Sequence, residues 1–227
     1  MSEPQTTTAT AAPTTAAAAQ PETTPAAAPS QQFIGDNVLP DADTVYDQRK
    51  TINAAPEDVW PWVVQWGKGR GGWYVPAKFE KALPEKYRSA PTIDPKWQVL
   101  KVGDKVPDYG LGKKDGDDYH LEVAVIENQR ALVYKGERLG MDFTWALLLE
   151  TPSGTEAATN GSSADSTASA TETVLHLRFR GKSQQSGWKA KVTQQIGKVT
   201  DGMMASAIFP GIADRVEQQE KKAKVAA

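Results

Sequence analysis

Few side chains in this sequence have chemistry to offer. There is no cysteine, which excludes thiol catalysis, disulfides and cysteine-ligated zinc. The histidines are His120 and His176. On their strands they alternate away from Leu121 and Leu175, which places both toward solvent. Neither has metal-ligand spacing to other donors. Asp115, Asp117 and Asp118 cluster, but the glutamate that would close a calcium loop is missing, so they read as a solvated turn. No paired carboxylates and no nucleophile with its base stand out. That leaves Arg70, set among glycines and tryptophans. A guanidinium there could stack on rings and grip a ligand carboxylate through two parallel hydrogen bonds. It could equally pair with a strand acid such as Asp104 or lie on Trp73.

Arg70 belongs to the stretch Trp60–Tyr74, which holds four of the seven tryptophans and four of the eighteen glycines. Gly67 to Gly72 formally satisfies G-x-G-x-x-G. A dinucleotide-binding turn needs a strand before it and a helix after it. Here an apolar helical pattern precedes and Trp73-Tyr74 comes after, so the run reads as a structural turn. Gly197-Lys198 lacks both the upstream glycine and the Ser/Thr of a phosphate-binding loop. Trp66, Tyr74, Trp145, Met203 and Met204 could line an apolar pocket, which wants aromatic walls and adaptable methionines. For each, plain core packing is the competing reading.

Periodicity supplies the elements that would position these residues. Lys50–Asn53 reads as a first strand. A helix opens at Ala54–Asp58, with Pro56 in its first turn and Glu57 and Asp58 at the positive end of its dipole. Val59, Trp62, Val63 and Trp66 continue it at helical spacing, and Pro61 should bend or divide it. Pro76–Leu83 reads as a second short helix. The period then changes to two: Val99–Val106, Tyr119–Ile126, Ala131–Lys135, Phe143–Glu150 and Thr173–Arg180 read as strands. Glu127–Arg130 should turn one hairpin. In the last strand Leu175, Leu177 and Phe179 face one way and His176, Arg178 and Arg180 the other. A long helical stripe runs from Val192 to Val216, with breaks expected at Gly202 and at Pro210-Gly211.

Two segments cannot carry a core. Residues 1–32 contain no aromatic, Val, Ile or Leu, and five prolines interrupt their alanines. Together with a lead-in they make a disordered tail over 1–45, in which Phe33, Ile34 and Val38 could dock on the domain. Residues 151–172 lack any large apolar side chain and read as a flexible hairpin insertion. A single domain is expected over 46–223.

The net charge is −2, with 26 basic and 28 acidic residues, and Glu3 and Glu22 of the tail account for the excess. The folded part is neutral, which argues against a nucleic-acid groove driven by bulk charge. No apolar run is long enough to cross a membrane. The start of the chain has neither the basic residues nor the apolar run of an export signal, so a soluble, cytoplasmic protein is expected.

Strand, short helices, antiparallel strands and a long final helix is the order of the helix-grip fold. Ala55–Trp62, then Gln65–Tyr74 with its GRGGWY-type turn, resembles the SRPBCC (START/polyketide-cyclase-like) superfamily, in particular an uncharacterised branch of it. Val102-Gly103-Asp104 to Pro107 and the final helix with Gly211-Ile212 extend the resemblance over about residues 48–222. It implies an α+β curved antiparallel sheet wrapped around the C-terminal helix, with a cavity between them. Members carry hydrophobic ligands, and others act as cyclases, hydroxylase domains or chaperone co-factors. The expectation is therefore a small hydrophobic or amphipathic ligand, no cofactor and no metal. Trp66, Trp73, Tyr74, Trp145 and Met204 would form the walls, and Arg70 would anchor an anionic group. The alternatives are a cyclase- or lyase-type enzyme using Arg70 and Tyr74, or a protein-interaction module without ligand. The oligomeric state cannot be read from the sequence.

Overall fold

The computed structural model describes residues 32–75, 80–85, 88–108, 119–138, 140–152, 171–185, 208–222 and 225. Six antiparallel strands form one sheet: β1 (Thr44–Ile52), β2 (Lys105–Asp108), β3 (Tyr119–Glu127), β4 (Ala131–Arg138), β5 (Met141–Glu150) and β6 (Thr173–Ser183). Their spatial order is β1-β6-β5-β4-β3-β2. Helix α1 (Pro56–Val64) comes after β1, and helix α2, residues 208–222, closes the described chain. A curved antiparallel sheet with a C-terminal helix on its inner face is the helix-grip arrangement expected from the element order.

Local sequence accounts for most of these elements. Pro56 stands at the first turn of α1 with Glu57 and Asp58 beside it, as the dipole favours. Pro61 does not divide the helix, which runs through it as one element. Its missing N–H forfeits one bond to the preceding turn, while Val59, Trp62 and Val63 stay buried on the inner side. The hairpin at Glu127–Arg130 closes as expected: the Arg130 amide donates to the Glu127 carbonyl at 3.0 Å. Strands β5 and β6 pair from Met141↔Ser183 to Glu150↔Val174, so residues 151–172 connect two antiparallel neighbours. Residues 153–170 of that connection lie outside the described residues.

Two boundaries differ from the sequence reading. The first strand begins at Thr44, not Lys50, because its partner β6 offers a nine-residue register from Thr44↔Gly181 to Ile52↔Thr173. The strand expected over Val99–Val106 begins only at Lys105. Before it, the Lys101 amide donates to Asp104 Oδ2 at 2.8 Å and the Asp104 amide to the Lys101 carbonyl at 3.1 Å. That turn leaves Val99 and Val102 exposed, so their spacing recorded no buried face. The helical reading over Val192–Ala207 lies outside the described residues, as do residues 76–79 of the one over Pro76–Leu83.

The sheet has two apolar faces. Leu121, Tyr134, Trp145, Leu147, Leu175, Leu177 and Phe179 point inward to a core shared with α1 and with Ile208, Phe209, Ile212 and Val216 of α2. On the outer face Ala131, Val133, Ala146 and Leu148 form a second cluster with Phe33 and Ile34. The segment before β1 therefore lies across the back of the sheet, where burying two large side chains contributes about 3–6 kcal/mol.

Candidate functional site

The inner face is organised around one transverse row. Val123 of β3 is opposite Tyr134 of β4, Tyr134 opposite Trp145 of β5, Trp145 opposite Phe179 of β6, and Phe179 opposite Tyr46 of β1. Cross-strand neighbours share a face because side chains alternate along each strand. Trp66, just past the end of α1, meets this row. Its ring centroid is 5.7 Å from Tyr134, 5.7 Å from Trp145 and 4.6 Å from Trp73, and Trp73 is 6.2 Å from Trp145. Tilted and edge-on rings at these distances attract beyond simple burial.

The glycine turn delivers Trp73 and Tyr74 to this place. Gly67 and Gly72 exchange amide–carbonyl bonds at 3.1 and 3.0 Å, which closes the loop around Arg70. Tyr74 then sits in the left-handed region at φ 48°, strained for a bulky residue. Three contacts hold it there. Its amide donates to Ser89 Oγ at 2.9 Å, its ring is covered by Arg215 at 4.8 Å, and its carbonyl abuts Gly211 of α2. Arg215 is locked in turn by both oxygens of Glu80 at 2.8 Å and by the carbonyls of Ala90 and Gly211 at 3.0 Å. Tyr74 thus serves the joint between turn, loop 80–90 and final helix. Its ring lies 5.9 Å from the Trp62 ring, and burial pushes its pKa up, opposed by the Gln65 side chain and the Arg215 and Arg70 charges.

Arg70 does not pair with Asp104, whose carboxylate caps the Lys101 turn instead. Its Nη2 donates to the carbonyl of Val64, at the negative end of α1, and to that of Trp97. A planar guanidinium suits this stapling of helix end to loop. Its Nε is buried without a partner among the described residues.

Three more donors share that condition within the ring cluster. The indole N–H groups of Trp66 and Trp145 are buried and have no hydrogen-bond partner among the described residues, and neither has the Tyr134 hydroxyl. Trp66 is 1 % exposed, Trp145 3 % and Tyr134 0 %. Burial pushes the Tyr134 phenol up, against a smaller opposing effect of the Arg70 charge, so it stays neutral and able to donate. An unmet buried donor costs about 1–3 kcal/mol, and folded proteins leave few of them. Here three lie in one aromatic cluster. Sequence reasoning misses Tyr134: it ends the uniformly apolar run Ala131–Tyr134, which has no alternation to show its face.

Of the six residues expected at the site, the structure gathers Trp66, Trp73 and Trp145 and turns Arg70 and Tyr74 to structural contacts beside them. Met204 lies outside the described residues. Open grooves among the described residues lie elsewhere. One of about 610 Å³ crosses the outer face near His120, Glu122 and Lys135, and one of about 470 Å³ separates the end of β1 from α2 near Lys50 and Glu217. Neither is lined by any of the six. Among the described residues no group of acids and histidines could hold a metal, and no helix is long and apolar enough to cross a membrane.

The histidine expectation is half corrected. His120 is exposed, as expected. His176 faces outward from the core but is 0 % exposed, since Phe33 lies edge-on to it at 5.0 Å and carboxylates bracket it. The alternation of β6 is right about the face and silent about what covers it.

No family model and no curated protein matches the chain. Solved structures with a similar layout include norcoclaurine synthase from Thalictrum flavum in complex with dopamine and hydroxybenzaldehyde, at 11% identity over 79% of this chain and 87% of that one, TM-score 0.42. Ara h 8.0201 matches at 14% identity over 77% and 98%, TM-score 0.39. A protein of unknown function from Staphylococcus aureus matches at 9% identity over 78% and 96%, TM-score 0.44. Likeness at this level carries no ligand, reaction or residue role to this chain.

Proposed function

We propose that this chain binds a small hydrophobic or amphipathic ligand against the inner face of its sheet, beneath the C-terminal helix. The observation that carries this reading is the set of unmet donors: Trp66 Nε1, Trp145 Nε1 and Tyr134 Oη, all buried in one ring cluster. Rings supply apolar contact, and the donors select a ligand that presents acceptors, such as a carbonyl, ether, ester or carboxylate. The resemblance to the SRPBCC superfamily agrees with this reading and names no ligand.

The interaction-module alternative wants a broad exposed apolar patch. Among the described residues the exposed large apolar side chains are Val45, Val99, Val102 and Val225, scattered over the fold. The enzyme alternative receives less support: Arg70 Nη2 holds the Val64 and Trp97 carbonyls, and the Tyr74 ring is packed beneath Arg215 and against Trp62.

The test is native mass spectrometry of the full chain purified without detergent, followed by titration of tryptophan fluorescence with fatty acids, sterols and aromatic polyketides. A bound small molecule, or a saturable change with one class, is expected. A ligand-free mass and unchanged emission across the panel would remove the reading.

A further inference from the structure

The outer face holds a second buried polar construction, unconnected with the ring cluster. The His176 imidazole is wholly buried between two carboxylates, with Nδ1 2.6 Å from Glu150 Oε1 and Nε2 2.6 Å from Asp47 Oδ1. A neutral imidazole has one N–H; only the imidazolium donates from both nitrogens. Arg178 donates to both oxygens of Asp47 at 2.9 and 2.7 Å, and Arg49 to Glu150 at 3.4 Å.

The strap that covers this network is built into it. Asp36 takes Arg178 Nε at 2.7 Å and Nη2 at 3.2 Å, lies 3.5 Å from Arg180, and accepts the Phe33 amide at 3.1 Å. The Phe33 ring stands edge-on to His176 and carries Arg178 on its face at 4.7 Å and Arg49 at 5.5 Å. Gly35, at φ 92°, lets the strap lie on the sheet, where a Cβ would meet Val133 Cγ2 at 2.7 Å.

We propose that residues 33–38 form a proton-dependent latch over the back of the sheet, closed while His176 is the cation between Asp47 and Glu150. The groups facing it are Asp47 and Arg49 from β1, Glu150 from β5, Arg178 and Arg180 from β6, and Asp36 from the strap. With His176 protonated, Arg49, Arg178, Arg180 and His176 face the carboxylates Asp36, Asp47 and Glu150, and each imidazole N–H meets one carboxylate. Loss of the proton sets a nitrogen lone pair against a carboxylate oxygen at 2.6 Å. The carboxylate that loses its donor then competes for the arginines that hold Phe33 and Asp36. Opening the latch would bare Ala131, Val133, Ala146 and Leu148.

Geometry sets the sign. Bonds to Asp47 and Glu150 raise the His176 pKa against the lowering effect of burial, so the clamp is complete below the ordinary histidine value and lost as pH rises through the higher folded one. The experiment is hydrogen exchange on the full chain from about pH 6 to about pH 9, corrected for the intrinsic chemical rate. The strap amides of Phe33, Asp36 and Val38 are all bonded within residues 33–38. Their protection should fall about tenfold or more, as expected for loss of a charge-assisted bond, while that of β5 stays level. His176→Gln should flatten the strap profile. Strap protection that tracks β5 throughout in the wild-type chain would overturn the latch, as would an imidazole carrying a single proton at pH 6 by nitrogen NMR. Both readouts are independent of whether the variant folds.

Discussion

Gly211 of the final helix lies so close to the carbonyl of Tyr74 that a Cβ at that position would take the oxygen's place. The two segments, 137 residues apart by number, meet at a point where one methyl group has no room. Around it, Arg215 lies over the Tyr74 ring and grips Glu80, so turn, loop and helix are tied as one joint.

Gly211→Ala should therefore destabilise the chain by about 3 kcal/mol or more, since backbone must move to admit the methyl. For a domain of this size that is roughly a 6–12 °C drop in Tm. Differential scanning calorimetry checks it. A drop of a degree or less would mean that the helix is free to shift and that the contact is incidental.

Glu80 and Arg215 form an ion pair with side chains 14% and 6% exposed. Removing one partner by Glu80→Gln strands the other charge and should cost about 3–5 kcal/mol. Arg215→Met with Glu80→Leu should recover much of that loss, because two apolar side chains leave no unpaired charge. Urea denaturation of Glu80→Leu, Arg215→Met and the double substitution gives the coupling directly.

Tyr134→Phe removes a hydroxyl that has no partner among the described residues. In protein stripped of ligand, stability should hold or rise by up to about 1 kcal/mol. Affinity for whichever ligand the fluorescence titration identifies should fall about five- to tenfold, the worth of one neutral hydrogen bond. Equal affinity in both proteins would place the ligand's acceptors elsewhere.

Whether Arg70 also meets a ligand can be read without altering it, which matters because its Nη2 holds the Val64 and Trp97 carbonyls. A carboxylic acid and its primary amide, matched in every other atom, should be compared by titration. If the guanidinium receives the head group, the acid should bind about 10- to 100-fold tighter. Equal binding would leave Arg70 as a staple of the turn only.

On the acid side, Asp47 is held down to about 2 by its bonds to His176 and Arg178, which outweigh the effect of burial, and Glu150 is lowered in the same way by His176 and Arg49. A carboxylate whose folded pKa is depressed contributes stability above its unfolded value of about 4, lost as pH falls toward the folded one. Thermal stability should therefore decline from about pH 4 down to about pH 2, and Asp47→Asn should weaken that dependence. An unchanged acid limb would show that other carboxylates govern it.

Much of this architecture is readable in the linear order. Alternation in Thr173–Arg180 separates Leu175, Leu177 and Phe179 from His176, Arg178 and Arg180, and the structure keeps that division. Proline and acids mark the start of α1, and the glycine run marks the turn that aims Trp73. These are local signals: a strand's period, a helix dipole and the φ that glycine permits act within a few residues.

Partnership is the part that local signals do not carry. His176 is buried because Phe33, Asp47 and Glu150 reach it from three other segments, and alternation names a face without naming its cover. Arg70 is bound by carbonyls, which every residue possesses and no sequence pattern advertises. Tyr134 joins Trp66 and Trp145 only through strand register, set by how six strands align. Sequence by itself determined which residues were apolar, where the chain must turn and which fold those choices favour. Tertiary structure decided which polar atoms found partners and which stayed unmet, because hydrogen bonding and desolvation depend on neighbours brought together from distant parts of the chain.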